Sequence, residues 1–345
     1  MSAKNPDLAP VADMNTVHQS VPVIDLGGTE GMQRPETATR IAGEIGDACR
    51  DWGFFQVVNH GVDPDHLSKV WATIDNFFAL PRAVKRTLNR SSDNPWGFFD
   101  RELTKNQRDK KEIFDIGPEV DPGSLRGNPF SGATPWPEGQ PDFEDAMRAH
   151  FTICEQLSQT IVEAICLSLG LPRGRLTKSF EPAHTSFLRL NYYPVEDPLS
   201  DIPEEARAGA DLGIHHHSDA GAVTILIQDD VGGLQVFKDD YWYDVEPIKD
   251  AFVVNIGDMF QVWSNDQYRA ALHRVQAMSQ TDRYSFPFFY NPDYSAIIEP
   301  LECAAEPNLY NRIDWGEFRR RRADGDYADV GKEVQIADYR VVAAE

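Results

Sequence analysis

His217-Ser-Asp-Ala-Gly-Ala-Val-Thr-Ile-Leu-Ile-Gln-Asp229 is the stretch whose reading decides the fold. An imidazole and a carboxylate stand two residues apart, and a β-branched apolar run follows them directly. Runs of that composition are strands, and this one has neighbours of the same kind. Short β-rich segments recur at 186–192, 222–228, 234–237, 251–256, 271–277 and 284–290, with turn signals such as Gly232-Gly233 and Gly257-Asp258 between them. Strands this short and this closely spaced predict an antiparallel sandwich or barrel.

Upstream the character is mixed. Val21-Pro-Val-Ile-Asp-Leu26 reads as a first strand, and Gly53-Phe-Phe-Gln-Val-Val-Asn59 as another. Between them Ile41, Ile45, Cys49 and Trp52 fall at helical spacing, and a second helix carries Leu67, Val70, Trp71, Ile74 and Phe78 before Pro81. Lys111-Glu-Ile-Phe-Asp-Ile-Gly117 predicts a strand, and a long helix runs from about Asp142 to Leu169, stopped by Gly170 and Pro172. The expected architecture is therefore mainly β with flanking helices, built on a jelly-roll (double-stranded β-helix) core. It is read as one domain over 1–345. Within it, 1–20 is an N-terminal segment expected to be mobile, 21–185 a mixed helix and strand region packed on the barrel, 186–292 the jelly-roll core with its metal site, and 293–345 a C-terminal extension.

Composition narrows the function classes. The chain has 345 residues and a net charge of −22, which repels phosphate backbones and anionic lipid and speaks against a nucleic-acid partner. Arg319 to Arg322 form the one basic run, read as a solvated helix face paired with Asp314, Glu317, Asp324 and Asp326. Cys49, Cys154, Cys166 and Cys303 form no CxxC pair and suit a reduced compartment. No signal peptide and no run of 18 apolar residues is visible, so a cytoplasmic protein with no membrane partner is expected, as a monomer.

In a strand, side chains two apart share a face, so His217 and Asp219 can offer two cis donors to one metal. His273, in Ala271-Leu-His-Arg-Val275, is the best third donor. Two histidines and a carboxylate on one face leave three positions open, the arrangement suited to iron(II) and O₂ chemistry. His-x-Asp alone is a weak signal. Arg283-Tyr-Ser285 strengthens it, because Arg283 and Ser285 share a strand face where a guanidinium and a hydroxyl can grip a carboxylate.

At this point the chain resembles the isopenicillin N synthase-like branch of the 2-oxoglutarate and iron(II)-dependent dioxygenases, roughly from Val21 to Phe289. The pieces stand in the family's order: Gly53-Phe-Phe-Gln-Val-Val-Asn-His-Gly-Val62, Leu188-Arg-Leu-Asn-Tyr-Tyr-Pro194, the metal strand from His217, Gly232-Gly-Leu-Gln-Val236, Val254-Asn-Ile-Gly-Asp258, His273-Arg-Val275 and Arg283-Tyr-Ser-Phe-Pro-Phe-Phe289. The resemblance implies iron held by His217, Asp219 and His273, and the far carboxylate of 2-oxoglutarate held by Arg283 and Ser285. It also implies cosubstrate contacts at Asn191 and Tyr193, O₂ as second cosubstrate, and ascorbate as an accessory reductant. By position in the family Trp96, Phe98, Phe99, Phe114 and Phe289 are candidates for the substrate wall, a lining that suits an apolar or aromatic small molecule. The implied reaction is oxidation of a C–H bond by hydroxylation, desaturation or ring closure, with release of succinate and CO₂. Three alternatives stay open at this stage: a same-fold iron oxidase that does not use 2-oxoglutarate, a non-catalytic jelly-roll binder of small molecules, and a hydrolytic zinc enzyme built on the same two histidines and carboxylate.

Overall fold

A computed structural model describes residues 6, 9–12, 19–91, 93–119, 130, 132–200, 212–303, 307–325, 331 and 333–341. Much of the expected mobile segment 1–20 lies outside the described residues. Strand β1 (Val23–Asp25), helix α1 (Pro35–Asp51), strand β2 (Phe54–Val58) and helices α2 (Pro64–Phe78) and α3 (Arg82–Arg86) come first. Strands β3 (Gly97–Phe99), β4 (Leu103–Thr104), β5 (Gln107–Arg108) and β6 (Glu112–Ile116) and the long helix α4 (Pro141–Ser168) follow. The β-rich half then holds β7 (Phe187–Tyr193), β8 (Leu212–His217), β9 (Val223–Gln228), β10 (Leu234–Lys238), β11 (Tyr241–Asp244), β12 (Phe252–Ile256), helix α5 (Asp258–Trp263), β13 (His273–Gln276) and β14 (Arg283–Tyr290). Two short strands, β15 (Ile297–Ile298) and β16 (Ile313–Asp314), and helix α6 (Trp315–Gly325) follow in the C-terminal region.

The strands form a large sheet in the order β1-β2-β12-β9-β14-β7-β6-β3 and a small one in the order β11-β10-β13-β8. From β7 onward the chain crosses between the sheets: β7, β9, β12 and β14 belong to the large one, and β8, β10 and β13 to the small one. That winding is the jelly roll that the strand spacing predicts. The long helix also ends within a residue of expectation. Three local features differ. β8 ends at His217, so Asp219 lies past the strand, in the turn that leads to β9. Gly257-Asp258, expected as a turn, opens α5 instead. β10 matches the expected run 234–237, but its hairpin partner β11 has no counterpart in the expected strand set.

The large sheet is covered on both faces, which explains why its central strands read as unbroken apolar runs. Phe252, Val254 and Ile256 of β12, and Val223, Ile225 and Ile227 of β9, belong to the core shared with the helices. The intervening residues turn the other way, and Val253 packs in a second, smaller core with Tyr193, Leu234, Val236 and Val275 of the barrel interior. Period-2 alternation thus aims Thr224, Leu226 and Gln228 of β9, Asn255 of β12, Asn191 and Tyr193 of β7, and Arg283 and Ser285 of β14 at one interior.

Helix α4 buries a histidine along with the thiols of Cys154 and Cys166. His150 is fully buried, 3.4 Å from His66 Nε2 and 3.4 Å from Cys154 Sγ. Burial, aided by His66, pushes its pKa from the ordinary 6.5 down to about 3. Between those values the unfolded chain binds a proton that the folded chain does not. This stability contribution is complete above pH 6.5 and is lost as pH falls toward 3, at up to about 1.4 kcal/mol per pH unit. We expect denaturant titrations at pH 4–7 to show a shallower acid decline for His150→Leu than for wild type. Equal slopes would disprove the assignment.

Candidate metal centre and oxo-acid pocket

The register of β8 against β13 pairs His217 directly with His273, and their rings stand 4.3 Å apart. Asp219, delivered by the turn after β8, puts Oδ1 3.6 Å from Nε2 of each histidine. One donor atom from each residue falls within 4.8 Å of the others. The remaining polar atoms are engaged elsewhere. Nδ1 of His217 is 2.8 Å from the His215 carbonyl, and Nδ1 of His273 is 3.2 Å from that of Ala271. A carbonyl only accepts, so each Nδ1 carries the proton and each Nε2 lone pair faces the centre. Asp219 Oδ2 accepts from Thr224 Oγ1 at 2.5 Å and from Asn255 Nδ2 at 2.7 Å, which leaves Oδ1 for the centre.

Burial and the neighbouring His217 push His273 down to about 4, so its imidazole is neutral at pH 7. Burial alone would raise the Asp219 carboxyl, but His273, His217 and the Asn255 hydrogen bond outweigh it and hold the group far below the usual carboxylate range. A neutral His273 imidazole and an anionic Asp219 carboxylate are protonation states that suit a divalent metal. The turn is held from below by α5, whose Asp258 N–H donates to the Asp219 carbonyl at 2.8 Å. A Cβ at Gly257 would stand 2.3 Å from the Gly221 carbonyl oxygen and 2.8 Å from that of Asp219, so only glycine permits this approach.

Thr224 and Asn255 are not among the residues that sequence reasoning selects. Their signal is nonetheless there: each is a polar residue interrupting an apolar strand, in Val223-Thr-Ile225 and Val254-Asn-Ile256. A buried polar group in such a run demands a partner.

Arg283 is fully buried. Its Nη1 donates to Ser285 Oγ at 3.3 Å and its Nη2 to Gln228 Oε1 at 2.9 Å, while its guanidinium carbon lies 5.0 Å from the centre of the Tyr193 ring. Nε has no partner, and among the described residues no carboxylate forms an ion pair with this cation. Asn191, also buried, leaves Oδ1 without a partner. Asn191 and Tyr193 line the cavity that reaches the metal residues, whereas Arg283 and Ser285 stand outside that lining, against Tyr193.

The cavity has a volume of about 200 Å³ and contains His217, Asp219 and His273 in its wall. Of the aromatic candidates, Trp96 and Phe289 line it, with Phe187 stacked on Phe289 at 4.6 Å. Phe98 and Phe114 do not. They are cross-strand partners on β3 and β6, and they point to the helical layer, where Phe114 packs on Phe77 and Phe143. Phe99 lies under the Arg90 guanidinium at 4.0 Å and is also outside the lining. The wall is mainly apolar, as expected, but it also carries charged pairs. Arg189 is clamped on Asp115 at 2.7 Å, and Lys111 on Glu102 at 2.6 Å, all four lining the cavity.

The arginine run also departs from expectation. Helical geometry splits it, since residues three apart share a face. Arg320 and Arg321 are exposed and pair along the helix with Asp324 and Glu317. Arg319 and Arg322 turn inward and line the cavity. Arg319 donates to the Thr185 carbonyl and covers the Phe130 ring at 3.9 Å. Arg322 donates to the Ser218 carbonyl at 3.0 Å, between two of the metal-site residues, and to that of Val334 at 3.3 Å. Outer partners of this kind typically change metal affinity about 10- to 100-fold. Arg322→Ala is therefore expected to weaken iron binding roughly tenfold or more in a chelator competition, while Arg320→Ala leaves it unchanged. Equal affinities would remove Arg322 from this role.

Fold and site together define a jelly-roll protein with two histidines and a carboxylate on one interior face. The profile of the 2OG-Fe(II) oxygenase superfamily matches residues 184–292, and that described as non-haem dioxygenase in morphine synthesis N-terminal matches 21–139. The chain is 34% identical over 309 residues to 1-aminocyclopropane-1-carboxylate oxidase of Musa acuminata, covering 87% of this chain and 92% of that one. It is 34% identical over 311 residues to gibberellin 20 oxidase 2 of Oryza sativa subsp. indica, covering 87% and 75%. Among solved structures, a full-length Neurospora crassa protein in complex with alpha-KG superposes with a TM-score of 0.75 at 26% identity, over 88% of this chain and 96% of that one. JOX2 in complex with 2OG, Fe and JA gives 0.72 at 32% identity, over 92% and 87%. The chain belongs to the 2OG-Fe(II) oxygenase superfamily: it is an iron(II)- and 2-oxoglutarate-dependent dioxygenase that oxidises a C–H bond of a small-molecule substrate. Among the described residues no helix is long and apolar enough to cross a membrane.

Proposed function

We propose that His217, Asp219 and His273 hold the iron, and that Arg283 with Ser285 anchors the far carboxylate of 2-oxoglutarate. One observation carries this reading. Arg283 is a fully buried cation with no described carboxylate partner and an unsatisfied Nε, on the same barrel interior as three converging metal donors. A buried charge without an ion-pair partner costs several kcal/mol, so a folded protein tolerates one where a ligand supplies the counter-charge. A dicarboxylic keto acid meets both demands, with one end at the metal and the other at Arg283. Asn191, with its unpartnered Oδ1, and Tyr193 line the cavity, and in this reading both contact the cosubstrate.

Iron(II) with 2-oxoglutarate and O₂ supplies the oxidant for the C–H bond, and the chain supplies everything that directs it. His215 and Ala271 carbonyls fix both imidazole tautomers. Thr224 and Asn255 hold the Asp219 carboxylate so that a single oxygen faces inward. Arg283 sets the register of the cosubstrate. The walls then select which C–H bond lies nearest the metal, and so the product. Trp96 and Phe289 offer flat apolar contact, and the Arg189–Asp115 and Lys111–Glu102 pairs offer polar contact. The substrate that fits carries an apolar body and a polar group. We read the protein as a cytoplasmic, single-domain monomer with no nucleic-acid partner, in keeping with its charge of −22.

The deciding experiment is anaerobic addition of Fe(II) and 2-oxoglutarate, followed by succinate assays with a panel of small molecules. A weak visible charge-transfer band and succinate release are expected. Iron binding without either would overturn the assignment of the pocket.

A further inference from the structure

Gln228 ends β9 on the barrel side and is directly cross-strand from Ser285. It is 9% exposed. Its Nε2 donates to the Val245 carbonyl at 3.3 Å and its Oε1 accepts from Arg283 Nη2 at 2.9 Å. The Val245 carbonyl can only accept, so the amide has one orientation, with its oxygen toward the guanidinium. The adjacent acid, Asp229, feels the charge of Arg283, but its oxygens accept from backbone instead: from the N–H of Tyr284 at 2.5 Å and of Val231 at 3.1 Å.

We propose that Gln228 is the positioning residue of the cosubstrate pocket. It aims the Arg283 guanidinium with a neutral oxygen, so that a contacting counter-charge must come from an incoming carboxylate. The inference rests on the reading of Arg283 as the carboxylate anchor. Its physical core is a choice between two nearly isosteric side chains. A glutamate at 228 would reach the same nitrogen and neutralise it permanently, and a ligand carboxylate would then have to displace an internal ion pair. A glutamine orients the guanidinium without satisfying its charge. The pocket stays charged and preorganised, at the cost of a buried cation in the ligand-free protein.

The test compares Gln228→Glu, Gln228→Leu and Arg283→Met. The readouts are iron content and 2-oxoglutarate affinity, from anaerobic titration of the Fe(II) charge-transfer band. A buried, hydrogen-bonded charge pair is worth enough that Gln228→Glu is expected to weaken 2-oxoglutarate roughly 30-fold or more, with iron content retained. Gln228→Leu loses the aim but leaves the cation unpaired, so its loss is expected to be about tenfold or less, the scale of one hydrogen bond. The same ranking should appear in KM for 2-oxoglutarate. If Gln228→Glu binds as wild type does while Arg283→Met loses the ligand, the role of Gln228 fails and the anchor stands. If Arg283→Met binds as wild type does, the anchor itself fails. Equal losses in both Gln228 variants, with iron lost in parallel, would mark a packing role and overturn the proposal.

Discussion

Asp219→Ala is expected to weaken iron binding by more than roughly 100-fold, beyond the range seen when only an outer partner of a ligand is lost, and to abolish succinate release. The reason lies in how completely the carboxylate is committed. Oδ2 is taken by Thr224 and Asn255, and Oδ1 is the only anionic oxygen among the described residues that faces both His217 and His273. Alanine removes the single negative charge of the donor set. It also strands the Thr224 hydroxyl and the Asn255 amide, two buried donors that cost about 1–3 kcal/mol each when unsatisfied. Iron stoichiometry after anaerobic reconstitution, with succinate measured alongside, checks this. A variant that still retains stoichiometric iron and turns over would exclude Asp219 as a ligand.

Arg283→Met should separate binding from folding. Loss of a charge-assisted anchor costs about 2–5 kcal/mol, so 2-oxoglutarate affinity should fall by about 30-fold to several thousand-fold. The ligand-free protein should be as stable as wild type or more so, because a fully buried cation with no carboxylate partner is replaced by an apolar chain of similar length. Ordinary core residues behave in the opposite way, losing stability when they are changed. Ligand titration and thermal unfolding of the iron-free protein together check it. Severe destabilisation with unchanged affinity would show that Arg283 is structural.

Much of this site is legible in the chain because its logic is local. The spacing of Arg283 and Ser285 on one strand face needs no knowledge of other strands, since alternation is built into every extended segment. His217, Asp219 and His273 stand out by residue type together with the ordered motifs around them. Strand alternation brings His217 and Asp219 to one face by a route the structure does not use: β8 ends at His217, and a turn carries Asp219 inward. Phe98 and Phe114 show the converse failure. Their aromatic character marks burial but not which of two cores receives them, and here the helical layer does.

The C-terminal arginines show the limit most clearly. As sequence, four consecutive cations with acidic neighbours read as a solvated face, and Arg320 and Arg321 are one. Arg322 instead reaches the Ser218 carbonyl, and Arg319 that of Thr185, because α6 packs its inner face across the mouth of the barrel. By itself the sequence determined the strand periodicity, the kinds of donor and the pairing of Arg283 with Ser285 on one face, since residue chemistry and alternation belong to each segment alone. Tertiary structure decided the partners. It set His217 opposite His273, put Thr224 and Asn255 on Asp219, gave Arg283 a neutral glutamine and let a terminal helix lean on the metal turn. Strand register and helix docking are fixed by packing between distant segments, and no single segment carries that information.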